Sequence, residues 1–172
     1  MPQNSFVGMR HSGLFIAIFC CIPMFSCHKS ISSLDFDYAT NQSDPISLAI
    51  NEGAWQKVLE LSKNEKDPLL ILIKRRALYE LKKFDELLAT PQLQDPTFGP
   101  YDTFLKTQAA YELAKFEQVS TAEIPEDLPR PLKERLHILR GEALQEKGDL
   151  EKATETYKQF LSDFKRSSFR GD

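Results

Sequence analysis

One eight-residue block recurs along this chain, and that recurrence restricts the fold more than anything in its composition. Ala77-Leu78-Tyr79-Glu80-Leu81-Lys82-Lys83-Phe84 returns as Ala109-Ala110-Tyr111-Glu112-Leu113-Ala114-Lys115-Phe116. It returns again, loosened, as Ala143-Leu144-Gln145-Glu146-Lys147-Gly148-Asp149-Leu150, and a weaker copy, Leu48-Ala49-Ile50-Asn51-Glu52-Gly53-Ala54-Trp55, stands upstream. The closing residues Trp55, Phe84, Phe116 and Leu150 are 29, 32 and 34 residues apart. Self-similarity at this period marks stacked helical hairpins, because a hairpin of that size leaves an apolar face that only a neighbour can cover.

The last copy is the clearest. Leu132, Leu136, Leu139, Ala143 and Leu144 share one helix face, and Leu150, Ala153, Tyr157, Phe160, Leu161 and Phe164 trace the stripe of a second helix. Gly148-Asp149 separates them, glycine being the residue that accepts a left-handed helix end. Ala143 and Ala153 are small enough for the two helices to approach closely. The reading is all-α, with about four helix-turn-helix hairpins over residues 45–166.

These residues resemble the tetratricopeptide repeat: Gly141, Ala143, Gly148, Ala153 and Tyr157 fall on that family's signature positions. The resemblance implies a right-handed superhelical stack serving as an interaction scaffold. Departures are visible. Lys165 stands where a proline usually closes the unit, and the copies at Ala77 and Ala109 lack both glycines. Their second helices are expected to be short, stopped by Pro91 and Pro125.

Residues 1–27 are of another kind. Arg10 is their one formal charge, and an uncharged apolar run of twelve, Leu14 to Phe25, precedes Ser26-Cys27. That run has the length of a secretory signal core and is short of the ~20 residues that span a bilayer. A small residue followed by cysteine resembles the bacterial lipoprotein cleavage box. By that resemblance Cys27 carries palmitate or a similar acyl chain and becomes the mature N-terminus. The alternative is an unmodified Cys27 in a signal cleaved elsewhere. His28, where aspartate would mark inner-membrane retention, points to an outer-membrane anchor facing the periplasm. Met9 offers a second start.

With residues 1–26 removed, 146 residues remain, carrying 21 Lys+Arg against 25 Asp+Glu. A mildly acidic, finely mixed chain lacks the basic face that nucleic acid requires. All three cysteines lie in the first 27 residues, so the folded part is expected to hold no disulfide and no thiolate metal site. Residues 28–44 read as a flexible tether. The proline-rich stretches 90–100 and 124–129 read as loops between hairpins.

Chemistry is sparse. His137 has no histidine neighbour to complete a metal set. Glu80, Glu86, Glu112, Glu142, Glu146, Glu151 and Glu155 mix with lysine and arginine as on a solvated face. No catalytic activity, cofactor or metal is expected. In the tetratricopeptide resemblance the first helices line a groove. Tyr79 and Tyr111 then occupy equivalent groove positions, with Arg76 and Gln108 three residues before each and Glu142 and Gln145 as the matching pair of the last unit. The same tyrosines serve equally well as packing residues. The expected partner of such a groove is an envelope protein or peptide.

The array ends without a polar cap: Phe160, Leu161, Phe164 and Phe169 have no later element to pack on, and residues 167–172 form a tail. Self-association through this terminal face, or a longer natural chain, would cover it. The final stretch also looks like the joins in the N-terminal helical solenoid of soluble lytic murein transglycosylases. The two expectations are a lipid-anchored envelope scaffold and, alternatively, the non-catalytic solenoid of such an enzyme.

Overall fold

The computed structural model describes residues 44–167 and Phe169, and their regular structure is eight helices without a strand. In chain order these are α1 (Pro45–Asn51), α2 (Trp55–Leu61), α3 (Pro68–Glu80), α4 (Phe84–Ala89), α5 (Gly99–Glu112), α6 (Phe116–Thr121), α7 (Arg130–Glu146) and α8 (Leu150–Asp163). The all-α expectation is met. The signal segment, Cys27 and most of the 28–44 tether lie outside the described residues.

Proline stands in the first turn of every odd-numbered helix: Pro45, Pro68, Pro100 and Pro131. There its missing N–H costs nothing and its fixed φ suits the helix. Carboxylates satisfy the neighbouring orphan amides. Asp67 Oδ1 accepts from the N–H groups of Leu69 at 2.9 Å and Leu70 at 3.2 Å, and Asp44 accepts from Ser47 N at 3.2 Å. Pro100 therefore belongs to α5, so the loop after α4 is shorter than its prolines imply.

Each recurrent block closes one hairpin in the same way. Its sixth residue is left-handed: Gly53 at φ 66°, Lys82 at 57°, Ala114 at 54° and Gly148 at 82°. The second and third amides after each odd-numbered helix turn back onto it. Lys82 N donates to Tyr79 O (2.9 Å) and Lys83 N to Leu78 O (2.8 Å); Gly148 N donates to Gln145 O and Asp149 N to Leu144 O, both at 2.9 Å. The same pair recurs at Gly53 and Ala54 and at Ala114 and Lys115. This is the Schellman arrangement, which satisfies helix-end carbonyls. Lys82 and Ala114 accept a conformation that costs an L-residue roughly 1–2 kcal/mol. Glycine would remove that cost while adding about 0.4–1 kcal/mol of unfolded-chain entropy. Ala114→Gly is thus expected to stabilise the protein by about 0.5 kcal/mol, read as a higher urea midpoint with unchanged slope. A lower midpoint would show that Ala114 is not strained.

The even-numbered helices start on the large residues Trp55, Phe84, Phe116 and Leu150. The residue three positions later points inward each time: Val58, Leu87, Val119 and Ala153 are at most 3 % exposed. Helices α4 and α6 are only six residues long and end before Pro91 and Pro125, as expected. Each even helix packs on its own partner, and α2, α4 and α6 also pack on α3, α5 and α7 respectively. Odd helices touch directly as well, α3 on α5 and α5 on α7. Ala77, Ala109 and Ala143 are fully buried, whereas Leu48, at the same place in the first block, is exposed.

A second, less obvious repeat fastens hairpin to hairpin. Lys74, Lys106 and Arg140 stand three residues before those alanines. Each donates to a carbonyl at the end of the preceding even helix: Lys74 to Lys63 O at 3.4 Å, Lys106 to Thr90 O at 2.6 Å, and Arg140 to Ala122 O. A cation there satisfies an orphan carbonyl and faces the negative end of the helix dipole.

In the last hairpin, Gly141 lets α7 meet α8. A Cβ at Gly141 would lie 2.6 Å from Tyr157 Cζ, so the tyrosine ring rests on bare backbone. Two of the final aromatics are covered from within the last hairpin, without any later element. Phe160 is 2 % exposed, and Phe164 lies between His137 and Phe160, each with ring centres 5.3 Å away, with the Arg130 guanidinium 5.9 Å from its ring. The chain also turns back onto α7, where Ser167 Oγ donates to the buried Glu134 Oε2 at 2.7 Å. Helix α8 is long enough to reach across α7, so a single helix supplies this packing. Leu161 and Phe169 remain exposed.

Candidate functional site

Helices α3, α5 and α7 carry the sequence-selected groove residues, and Tyr79, Tyr111 and Glu142 come within electrostatic reach of the one guanidinium of Arg135. Tyr79 stands near the end of α3 and Tyr111 near the end of α5. Both rings pack within their own hairpins, Tyr79 against Phe84 with ring centres 5.3 Å apart and Tyr111 against Phe116 at 5.7 Å. Carboxylates of the next odd helix act on both hydroxyls, Glu112 of α5 on Tyr79 and Glu142 of α7 on Tyr111. Burial first, and then the Glu112 and Glu80 carboxylates, push the Tyr79 hydroxyl up to about 12, against the opposing pull of Arg135. Burial, Glu142 (which also accepts its hydrogen bond) and Glu146 do the same to Tyr111, again up to about 12 with Arg135 opposing. Both phenols therefore remain protonated donors at any physiological pH. The tyrosines both pack and present a polar edge.

The other selected residues differ in exposure. Arg76 is half-buried, with its guanidinium 5.4 Å from the centre of the Trp55 ring and its Nε 3.7 Å from Glu80 Oε1. Glu142 is half-buried and faces Arg135 at 3.8 Å. Gln145 is exposed. Gln108, one turn before Tyr111, is only 8 % exposed, and its Oε1 is buried without a hydrogen-bond donor among the described residues. Leaving such an acceptor unpaired costs about 1–3 kcal/mol. Cys27 lies outside the described residues.

Sequence reasoning missed the most buried charges. Asp102 on α5 is fully enclosed, and its Oδ2 forms a close ion pair with Arg75 of α3, accepts from Leu93 N at 3.0 Å, and lies 3.9 Å from Lys106 Nζ. Arg75 NH2 donates to Pro91 O at 2.7 Å. Burial lowers the Lys106 pKa while Asp102 partly restores it. Together these groups pin the 90–98 loop against α3 and α5. A signal was present: Arg75 interrupts the apolar run Leu72-Ile73…Ala77-Leu78, and Asp102 and Lys106 are one helical turn apart. Pairing across 27 positions leaves no local trace.

His137 packs on Phe164, and burial, then Arg140, lower its pKa against the pull of Asp163. The described residues contain no cluster of histidine, cysteine or carboxylates arranged to hold a metal, and no helix long and apolar enough to cross a membrane. What the α3–α5–α7 face can do is hydrogen-bond and attract charge. Comparison of the chain with protein-family models, curated proteins and solved structures returns no significant match.

Proposed function

We propose that this chain is a lipid-anchored scaffold of the bacterial envelope. Its hairpins stack as a right-handed, tetratricopeptide-like superhelix, and the face of α3, α5 and α7 forms a groove that holds a segment of a protein partner. The observation that carries this reading is the fourfold recurrence of one turn. The same left-handed position and the same pair of backbone bonds close every hairpin, and α3 packs on α5 and α5 on α7. Repetition of one geometry builds extended binding surfaces rather than a closed catalytic pocket. Anchoring rests on the apolar run and Cys27, with outer-membrane, periplasm-facing placement following from His28.

Two measurements test it. Full-length protein made in a Gram-negative host with an alkyne palmitate analogue should take up label and partition into detergent, and Cys27→Ala should do neither. Equal partitioning of both forms would end the lipoprotein reading. For the groove, the Tyr79→Phe/Tyr111→Phe pair keeps both rings on Phe84 and Phe116 but deletes the hydroxyls. It should melt within a few degrees of the native protein, since the one hydrogen bond lost, from Tyr111 to Glu142, is worth about 1 kcal/mol. Partner capture by in-cell cross-linking should fall at least fivefold. Unchanged capture would remove the tyrosine edge from the binding surface.

A further inference from the structure

We propose that the free side of α8 is where two copies of this chain meet, each α8 lying antiparallel against the α8 of the other copy. This interface is independent of what the α3–α5–α7 face holds.

The repeat supplies the template. Each earlier even helix is covered on one side by the odd helix that follows it, α2 by α3, α4 by α5 and α6 by α7. The first residue of those even helices is half-buried at Trp55, Phe84 and Phe116, and so is the fifth, at Leu59, Leu88 and Ser120. Helix α8 packs on α7 alone, and there the same two positions are exposed, Leu150 at 63 % together with Thr154. Leu161 stands three helical turns after Leu150 on the same side and is 42 % exposed. One side of α8 therefore offers the surface that a neighbouring helix covers in every earlier hairpin.

Charge says what the covering helix brings. The second residue of α4 and of α6 is an acid that pairs with a lysine just past the end of the covering helix, Asp85 with Lys115 and Glu117 with Lys147. The second residue of α8 is Glu151, which is exposed and paired with no cation among the described residues. The occupant must set a cation beside Glu151 and an apolar side chain beside Leu150. Helix α1 of a second copy does not, because its block carries Ala54 and Glu52 at the positions of Lys115 and Lys147. Helix α8 does. Lys158 is exposed, two turns after Glu151, and also pairs with nothing among the described residues. With two copies of α8 antiparallel about a point between Glu155 and Thr156, Leu150 of each lies opposite Leu161 of the other, and Glu151 comes within one turn of Lys158. Both contacts then occur twice, as a two-fold interface requires.

Sedimentation equilibrium of purified full-length protein in density-matched detergent should show a reversible monomer–dimer mixture at micromolar concentrations. Leu161→Asp should weaken dimerisation at least tenfold, since it sets a charge against Leu150. Leu48→Asp, the same change at the exposed leucine of α1, should weaken it less than twofold. Glu151→Lys and Lys158→Glu should each weaken it about threefold, the scale of exposed ion pairs. The two combined should return to within twofold of the native protein, because the pairs re-form with their signs exchanged. Circular dichroism should be unchanged throughout, every altered side chain being exposed. Register is read by disulfides in a Cys20→Ser/Cys21→Ser/Cys27→Ser background. Leu150→Cys and Leu161→Cys proteins, mixed under mild oxidation, should cross-link to each other faster than either does to itself. A chain that stays monomeric, a dimer lost with Leu48→Asp but kept with Leu161→Asp, or charge exchanges whose losses add instead of cancelling would overturn the proposal.

Discussion

Asp102→Ala is expected to lower the unfolding free energy by about 3–5 kcal/mol, the usual penalty for breaking a buried ion pair from one side. The cost has a definite origin. The Arg75 side chain is only 6 % exposed, so its charge would stay in the interior with one backbone carbonyl for company, and Leu93 N–H would lose its acceptor. Since small domains are stable by only about 5–15 kcal/mol, this single change should bring the protein near its unfolding threshold at 37 °C. Urea titration followed by far-ultraviolet circular dichroism measures it, and a loss below about 1 kcal/mol would show that the carboxylate does not hold the interior. Arg75→Met with Asp102→Leu should recover part of the loss, because apolar replacement of a whole buried pair is often neutral. Recovery should stay incomplete, because Leu93 N–H and Pro91 O would still lack partners.

Phe160→Ala should cost a similar amount, about 3–5 kcal/mol, the range for removing a buried phenylalanine. Its location makes the distribution of the loss informative. Phe160 is 2 % exposed on α8, and α8 packs on α7 alone. Where contacts run only between neighbours, stability is close to a sum of local contributions. Hydrogen exchange should therefore accelerate in α7 and α8, Phe164 should lose its ring partner, and protection in α3 to α5 should remain. A uniform acceleration through all eight helices would mean that the repeats unfold as one unit.

Much of the backbone was legible from residue order. The period of the block located all four turns, the apolar stripes located the helices, and Pro91 and Pro125 marked the ends of α4 and α6. The candidate face was legible in outline, since equal positions in equal hairpins share a side. Its detail was not. Glycine is the usual sign of a left-handed turn, so Lys82 and Ala114 concealed the left-handed geometry that these two turns share with those at Gly53 and Gly148. Gln108 reads as one more polar groove residue, yet it is buried, because the crowding around α5 depends on helices before and after it.

The sequence by itself determined the helical hairpins, their number and their junctions, because periodicity and turn chemistry act over a few neighbouring residues. Only the tertiary structure decided that Arg75 and Asp102 meet, that Lys74, Lys106 and Arg140 each grip the helix before, and that Phe164 finds His137 on α7. Those pairings join groups on different helices or just past their ends, from 11 to 27 residues apart in the chain. Their energy comes from desolvation and charge at close range, which exist only once the helices are in place.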